Sequence, residues 1–252
     1  MIGTLALREL RSLFLSPLAW SVLAVVQFIL AYLFLAHVQD FIQIQPQLAL
    51  MDNAPGATQL IVAPLYGSAG FIFMMVVPLM TMRLISEERR NRSIALLFSA
   101  PVSMSEIILG KYVGVVAFFL VLTALITLMP LSLLTAGTLD MGHFAAIVLG
   151  VLLLVSSFAA LGLYLSSLTV QPTVAAVSSF GALLLLWIID WAGDKVGNAE
   201  ASGLLTYLSL LRHFEAFARG VFSTADVAYY LLFTTVFLVL GIRRLDADRL
   251  QH

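Results

Sequence analysis

The sequence is poor in charged residues and has no cysteine at all. Charged residues make up 11% of its 252 positions, whereas a soluble domain carries roughly 25%. The lack of cysteine excludes disulfide bonds, thiolate metal sites and cysteine nucleophiles. A chain of this length with so few polar residues cannot form the polar surface that a soluble globule needs in water. The composition therefore excludes an ordinary soluble globule.

The sequence also lacks the motifs of common catalytic sites. No G-x-x-x-x-G-K-[ST] phosphate loop occurs in it, so it offers no nucleotide site of that kind. His37, His143, His213 and His252 are scattered and form no ligand pair at helical spacing. No basic surface typical of nucleic-acid binding is visible. We therefore predict a protein that is not an enzyme and that holds no metal, no cofactor and no nucleic acid.

Long apolar runs take up most of the chain, which is 61% hydrophobic. Runs of about 18 residues can each cross the ~30 Å hydrocarbon core of a bilayer as a helix. Helices are expected because lipid offers backbone groups no hydrogen-bond partners. The predicted fold is an all-α integral membrane domain that covers residues 1–252 and has six transmembrane helices. These spans are predicted at 17–38, 61–82, 110–134, 143–167, 173–191 and 225–242.

The distribution of basic residues predicts the orientation of these spans. An even number of spans places both termini on one side of the membrane. If that side is the cytoplasm, its segments hold ten of the thirteen basic residues, as the positive-inside rule requires. We therefore predict a bacterial inner-membrane protein with both termini in the cytoplasm. The ten residues are Arg8, Arg11, Arg83, Arg89, Arg90, Arg92, Lys111, Arg243, Arg244 and Arg249.

Segments outside the spans predict two further helices and one irregular loop. Thr4–Phe14 has apolar Leu7 on one face and Arg8 on the other, which predicts an interfacial helix. Residues 39–60 are polar and contain two prolines, so an irregular outer loop is expected there. Residues 192–224 are too charged to span but have apolar residues at helical spacing. They predict an amphipathic or re-entrant helix on the outer side, with His213 on its polar face.

Polar and small residues inside the predicted spans suggest packing and pathway positions. Gln27 lies in the middle of the first span, where a polar group should face protein or a cavity rather than lipid. It is the candidate pathway residue. The spacing of Gly110 and Gly114 lets another helix approach closely. We favour a helix of the same chain over a helix of a second copy as the one that packs there.

The densest charge of the protein lies in residues 83–109, after the second predicted span. Six charged residues occur within the ten positions from Arg83 to Arg92, which exceeds what anchoring in lipid headgroups needs. A short apolar helix is expected next, ended by Pro101, and Ser103 or Ser105 is expected to cap the following helix. The apolar face of the short helix requires a protein partner. The candidate docking residues are Glu87, Glu88, Arg89, Arg90, Arg92, Ile94, Leu97 and Phe98.

The order of several short motifs resembles a known family. Glu87-Glu-Arg89, then Ala100-Pro-Val-Ser103 and Glu106-Ile-Ile-Leu-Gly-Lys111, look like the cytoplasmic coupling segment of ABC-2 type permeases. Three further stretches are similar to the gliding-motility (GldF-like) branch, and the similarity covers about two-thirds of the chain. Many relatives carry a glutamate in the coupling helix where this chain has Ala95. The three stretches lie at 166–187, 213–221 and 226–230.

The resemblance implies a division of labour between this chain and separate ATPase subunits. The coupling segment would insert into a groove on an ATP-binding cassette (ABC) ATPase, which would bind ATP and Mg²⁺. Two ATPase copies would drive two permeases, the second being another copy of this chain or a related permease. A subunit with a periplasmic domain is a further expected partner. By analogy with the family, the complex is expected to be an exporter.

Two alternatives of other classes stay open at this point. The complex could transmit ATP-driven movement to a machine on the outer side without transporting anything. The chain could instead be an ion-coupled carrier that acts alone, which would require acidic residues deep in the spans. We find acidic residues only near the predicted span ends.

Overall fold

The computed structural model describes residues 1–51, 54–91, 102–135, 138–193 and 209–249, the side chains of 190–193 excepted. All of its regular structure is helical, and the described residues contain no β-strand. A π-helical turn, Thr58–Val62, leads into α3, and a 3₁₀ turn, Leu133–Thr135, follows α5. The helices are α1 Ile2–Leu15, α2 Pro17–Leu48, α3 Ala63–Thr81, α4 Ser86–Arg90, α5 Met104–Ser132, α6 Met141–Leu168, α7 Pro172–Gly193, α8 Leu210–Ala218 and α9 Thr224–Arg249.

Six of these helical stretches are long and apolar enough to cross a membrane, which confirms the predicted all-α membrane fold. Each overlaps one predicted span, and most extend beyond it. The stretches are Pro17–Leu48, Thr58–Arg90, Met104–Thr135, Met141–Leu168, Pro172–Ile189 and Thr224–Arg249.

The irregular loop expected from residue 39 onward is wrong in its first half. Helix α2 continues to Leu48 and contains Pro46 in its last turns. Its 32 residues span roughly 48 Å, which is well beyond the ~30 Å hydrocarbon core. Gln43, Gln45 and Gln47 are good helix formers that tolerate water. A polar segment after an apolar span can therefore prolong the helix, and polarity alone does not end it.

Helix α6 is the most buried span and the centre of the bundle. Small residues along it let other helices approach, and Ala159 and Ala160 are fully buried. At Gly162 a Cβ atom would lie 2.2 Å from Thr81 Oγ1 of α3, so only glycine fits there. Close backbone approach at small residues is the usual way in which membrane helices associate.

The predicted N-terminal helix is present, and Leu10 and Phe14 of its predicted apolar face pack against the core. Helix α1 lies against α5, where a Cβ on Gly110 would be 2.6 Å from Leu5 Cβ. At Gly114 the corresponding distance to Glu9 Cβ would be 2.8 Å. The glycine spacing therefore serves contact within the chain, as predicted. Leu7, the third residue of that face, is exposed.

The helices define two ends of the bundle. At the charged end lie α1, α4, the start of α5 and the last turns of α9. At the distal end lie the start of α6, helix α8 and the start of α9. The even number of spans accounts for this arrangement.

At the distal end, α8 is the amphipathic helix predicted before the last span, but His213 lies on its buried side. His213 Nδ1 is 2.5 Å from Asp226 Oδ1, and its ring stacks on Tyr229 with centroids 3.9 Å apart. The prediction that His213 faces the polar side is therefore wrong. The prediction treated histidine as a polar residue that stays in water. In the structure the carboxylate of Asp226, 13 residues later in the chain, pairs with the ring and offsets the cost of burying it.

Candidate functional site

The short helix α4 is held in place at its start by a serine of the central helix. The hydroxyl of Ser166 accepts hydrogen bonds from the backbone N–H groups of Ile85 and Ser86, both at 3.2 Å. It donates a third bond to the carbonyl of Met82 at 2.9 Å. These bonds satisfy N–H groups that a helix start leaves without intrahelical partners. The chain after α3 is thereby fixed to the end of α6.

A buried lysine joins three helices at the charged end. Lys111 of α5 is 7% exposed, and its ammonium lies 2.8 Å from Glu88 Oε1 of α4. The same ammonium lies 3.4 Å from Glu9 Oε2 of α1. A buried charge requires such partners, because an uncompensated ion in a protein interior is costly. We call Glu9, Lys111 and Glu88 the lysine triad.

A second ion pair connects α4 with the last helix. The guanidinium of Arg89 pairs with the carboxylate of Asp248, and both side chains are largely buried. Arg244, one turn earlier on α9, lies 3.5 Å from the other oxygen of Asp248. Helix α4 is therefore bound to α5 through Glu88, indirectly to α1 through Lys111 and Glu9, and to α9 through Arg89. A displacement of α4 would act on three helices at once.

The predicted docking residues thus divide into two groups. Glu88 and Arg89 are engaged in pairs inside the chain, whereas Glu87 and Arg90 are exposed. Neither Glu87 nor Arg90 forms an ion pair within the part of the chain that the structure describes. The remaining predicted docking residues, Arg92, Ile94, Leu97 and Phe98, lie outside the described residues.

The start of α5 is capped as the sequence predicts. The Ser103 hydroxyl accepts the N–H of Glu106 at 3.3 Å, and Glu106 Oε2 accepts the N–H of Ser103 at 3.1 Å. This reciprocal arrangement is a capping box. It fixes the point at which the chain re-enters the bundle after the charged segment.

A cavity of about 360 Å³ lies beside α4 at the charged end. Helix α1, the start of α2, the end of α3 and helix α4 form its walls. Its lining combines charged and apolar side chains in one space. The residues are Arg8, Glu9, Ser12, Leu13, Ser16, Leu18, Ala19, Leu79, Met80, Arg83, Leu84, Glu87, Glu88, Asn91 and Lys111.

Gln27, the candidate pathway residue, lies between two spans. Its amide nitrogen donates to the carbonyl of Leu125 on α5 at 3.1 Å. Its amide oxygen is buried and has no hydrogen-bond partner among the described residues. The side chain therefore faces protein, as predicted, and a role in a pathway stays a prediction.

Sequence reasoning missed the partners that hold α4. Glu9, Asp248 and Ser166 come from segments far from α4 in the chain. One signal was present: Lys111 is a lysine at the start of an apolar span, and such a residue requires a carboxylate partner or access to the headgroups. The signal predicts a pair but not which of the fourteen acidic residues forms it.

Fold and sequence together define a multi-pass membrane protein with a charged segment between its second and third spans. The family model described as ABC-2 family transporter protein matches residues 37–189, which is more than half of the chain. The chain belongs to this family and is a permease subunit of an ABC transporter, a class that works with an ABC ATPase subunit. The match includes α3, α4 and α5. No curated protein matches the sequence significantly.

Proposed function

We propose that α4 and the segment that follows it dock onto a separate ABC ATPase and carry its movement into the bundle. The observation that carries this proposal is the position of α4. It presents exposed Glu87 and Arg90 at the end of the bundle, while Glu88 and Arg89 connect it to α1, α5 and α9. A force applied at the exposed residues would thereby reach three helices.

In the proposed assembly two ATPase copies serve two permeases. ATP and Mg²⁺ are bound by the ATPases, and the second permease is another copy of this chain or a related one. The charged end faces the cytoplasm of a bacterium, as the basic residues of α1, α4 and α9 support. The complex exports its substrate across the inner membrane. The short motifs from residue 166 onward support a place in the gliding-motility branch, which would add a periplasmic-domain subunit.

The docking step is tested by charge reversal at Arg90 with the ATPase co-expressed. Arg90→Glu should weaken the complex by about fivefold, since an exposed ion pair contributes ~1 kcal/mol at most. The loss should be greatest at low salt, because exposed charges are screened as ionic strength rises. The measurement is the amount of ATPase that co-purifies with the tagged permease over a salt series.

The matched control is Arg212→Glu, an exposed arginine at the distal end. It makes the same change in net charge and should leave the complex intact. Arg89→Glu is unsuitable as the primary test because it also breaks the pair with Asp248. Recovery of the ATPase that is equal for Arg90→Glu, Arg212→Glu and the wild type would contradict docking through α4.

Force transmission without transport is the second candidate, and the length of α2 favours it. The helix extends well beyond the hydrocarbon core at the end opposite to α1, and could reach a partner on the outer side. Vesicles that contain the permease and the ATPase distinguish the two functions. ATP-dependent movement of a compound across the vesicle membrane supports export, whereas ATP hydrolysis with no movement of candidate compounds supports force transmission.

A further inference from the structure

We propose that Ser166 of α6 is the pivot on which α4 turns when the ATPase moves it, a positioning residue that coupling requires and docking does not. The inference rests on the docking proposed for α4. Ser166 is fully buried, and its three hydrogen bonds all go to the turn between α3 and α4. A hydroxyl has one proton to donate and two lone pairs to accept with. The whole bonding capacity of this side chain is therefore used on one turn of another segment.

The neighbouring serine shows the ordinary alternative. Ser167 is also fully buried, but its hydroxyl donates to the carbonyl of Tyr164 in its own helix at 2.6 Å. A bond of that kind satisfies a buried hydroxyl without any contact between helices. The two serines therefore have the same burial and different partners, and only Ser166 connects α6 with the charged segment.

The turn that Ser166 holds is closed to water. Residues 84–86 are buried, with Ile85 and Ser86 fully so. The Ser86 hydroxyl donates to the carbonyl of Met82, which also accepts the hydroxyl of Ser166. Buried backbone groups require a partner, and the turn lies outside the hydrogen bonds of α3 and α4. Removal of the Ser166 hydroxyl would leave the N–H groups of Ile85 and Ser86 without their acceptor.

The stiffness of attachment changes along α4, which has only five residues. At its start the contact is made by a serine, whose hydroxyl lies one carbon from the backbone. Farther along, Arg89 reaches Asp248 and Lys111 reaches Glu88 through long, flexible stems. A short side chain fixes the position of a backbone, whereas a long one follows its movement. A force on the exposed part of α4 therefore turns the helix about its start.

The support of this pivot is rigid. Ser166 lies on α6, the most buried span. One turn earlier, at Gly162, α6 is in direct contact with Thr81 at the end of α3. The hydroxyl of Ser166 cannot retreat when α4 is pushed, so the turning of α4 is passed through Arg89 to Asp248 of α9. Without the pivot the turn would slide, and the movement would be lost before it reached α9.

The experiment measures distances between spin labels in the complex of the full-length permease with its ATPase. The chain has no cysteine, so labels can be placed on introduced cysteines alone. Asn91→Cys reports the end of α4 and Arg243→Cys reports α9, each paired with Arg212→Cys at the distal end; all three positions are exposed. In the wild type both distances should change when ATP binds. In Ser166→Ala the ATPase should still co-purify and the distance from α4 should still change, but the change at α9 should be lost.

Two variants separate this role from a loss of stability. Ser167→Ala removes an equally buried hydroxyl and should keep both distance changes. Ser166→Thr keeps the hydroxyl and should restore the change at α9. A change at α9 that persists in Ser166→Ala, or that is lost equally in Ser167→Ala, would overturn the proposal. A wild-type complex in which neither distance changes would overturn it as well.

Amide hydrogen exchange in the wild type provides a test that does not depend on how the variants fold. The N–H groups of Ile85 and Ser86 should stay protected in both the nucleotide-free and the ATP-bound complex. In the permease alone, Ser166→Ala should speed their exchange by about tenfold, since buried donors lose their acceptor. Release of these two amides on ATP binding would mean that α4 moves as a whole, which would overturn the pivot. Failure of docking is recognised separately, because it appears as unchanged recovery of the ATPase with Arg90→Glu.

Discussion

Two short helices, α4 at the charged end and α8 at the distal end, are held to the bundle by different kinds of contact. Helix α4 is held by side chains that reach between helices, as in the lysine triad and the pair of Arg89 with Asp248. At the distal end, α8 lies so close to α6 that a Cβ on Gly150 would be 2.7 Å from Phe217 Cβ. Long side chains can join helices whose backbones lie apart, whereas the contact of Gly150 with Phe217 requires the two backbones to lie close together.

This difference determines which of the two short helices can shift. An ion pair between flexible side chains can follow a helix that shifts by an ångström and can exchange partners with a neighbouring charge. Close packing has no such tolerance, because a small displacement opens a void or produces a clash. The hydroxyl of Tyr230, which donates to the carbonyl of Leu210 at 2.7 Å, further fixes α8 to α9. We infer that α4 can shift while α8 stays fixed.

The largest expected effect is the loss of the cation in the lysine triad. Lys111→Met removes the ammonium that contacts both Glu9 and Glu88. Breaking a buried pair in this way costs about 3–5 kcal/mol. The free energy of unfolding, measured by chemical denaturation in detergent micelles, should fall by about that amount.

Two further variants separate charge from side-chain volume. The triple variant Glu9→Gln/Glu88→Gln/Lys111→Met removes all three charges and should regain most of the lost stability, because replacing every member of a buried pair is often nearly neutral. Arg11→Met, an exposed control on α1, should change stability little. If Lys111→Met were as stable as the wild type, the charged end would not depend on the triad.

The sequence was sufficient for the architecture, because the bilayer imposes it. Six spans, the helix at the N-terminus and the amphipathic helix before the last span all follow from length, hydropathy and helical spacing. A cap at Ser103 or Ser105 follows from the local sequence, and the structure places it at Ser103. Such features depend on residues close together in the chain, which a single sequence displays.

The partners across the bundle could not be predicted in the same way. Glu88 and Arg89 were both expected to face an ATPase, yet each pairs inside the chain with a residue more than 20 positions away. His213 was placed on a polar face although Asp226 makes its burial tolerable. These outcomes depend on which helices become neighbours, and helical periodicity carries no information about that.

A methyl group placed between α6 and α8 tests the distal end. Gly150→Ala would bring its Cβ within 3.1 Å of three atoms of Phe217, one of which is Phe217 Cβ itself. A rotation of the ring cannot relieve that contact, so α8 has to move. Overpacking of this kind costs about 1–3 kcal/mol. Unfolding in detergent micelles measures the loss.

The matched control for this variant is Gly181→Ala in α7, where a Cβ meets no atom within 4 Å. That change should be neutral or slightly stabilising, because alanine favours the helix. Gly150→Ala should also leave the salt dependence of ATPase binding unchanged, since the docking residues lie at the other end. If Gly150→Ala left the free energy of unfolding unchanged, the distal end would not be rigid.

The smallest expected effect compares one helix cap from each end. Ser103 is exposed and caps α5, whereas Ser209 is fully buried and accepts the N–H of Arg212 at 3.3 Å to cap α8. Replacing such a cap by alanine costs about 0.5–2 kcal/mol. We expect Ser103→Ala at the lower limit, because water can replace the lost acceptor, and Ser209→Ala at the upper limit, because its surroundings are closed.

Amide hydrogen exchange distinguishes the two responses better than global stability does. Ser103→Ala should speed exchange only in the first turn of α5, since water and the rest of the helix compensate there. Ser209→Ala should speed exchange along α8 and at the start of α9, because α8 has only nine residues and is held by the contacts around its cap. Ser12→Ala, an exposed serine inside α1 at the same end of the bundle, serves as the control. If both cap variants produced the same local fraying, the two ends would be equally adaptable. The difference in their contacts would then not explain why one end moves and the other stays rigid.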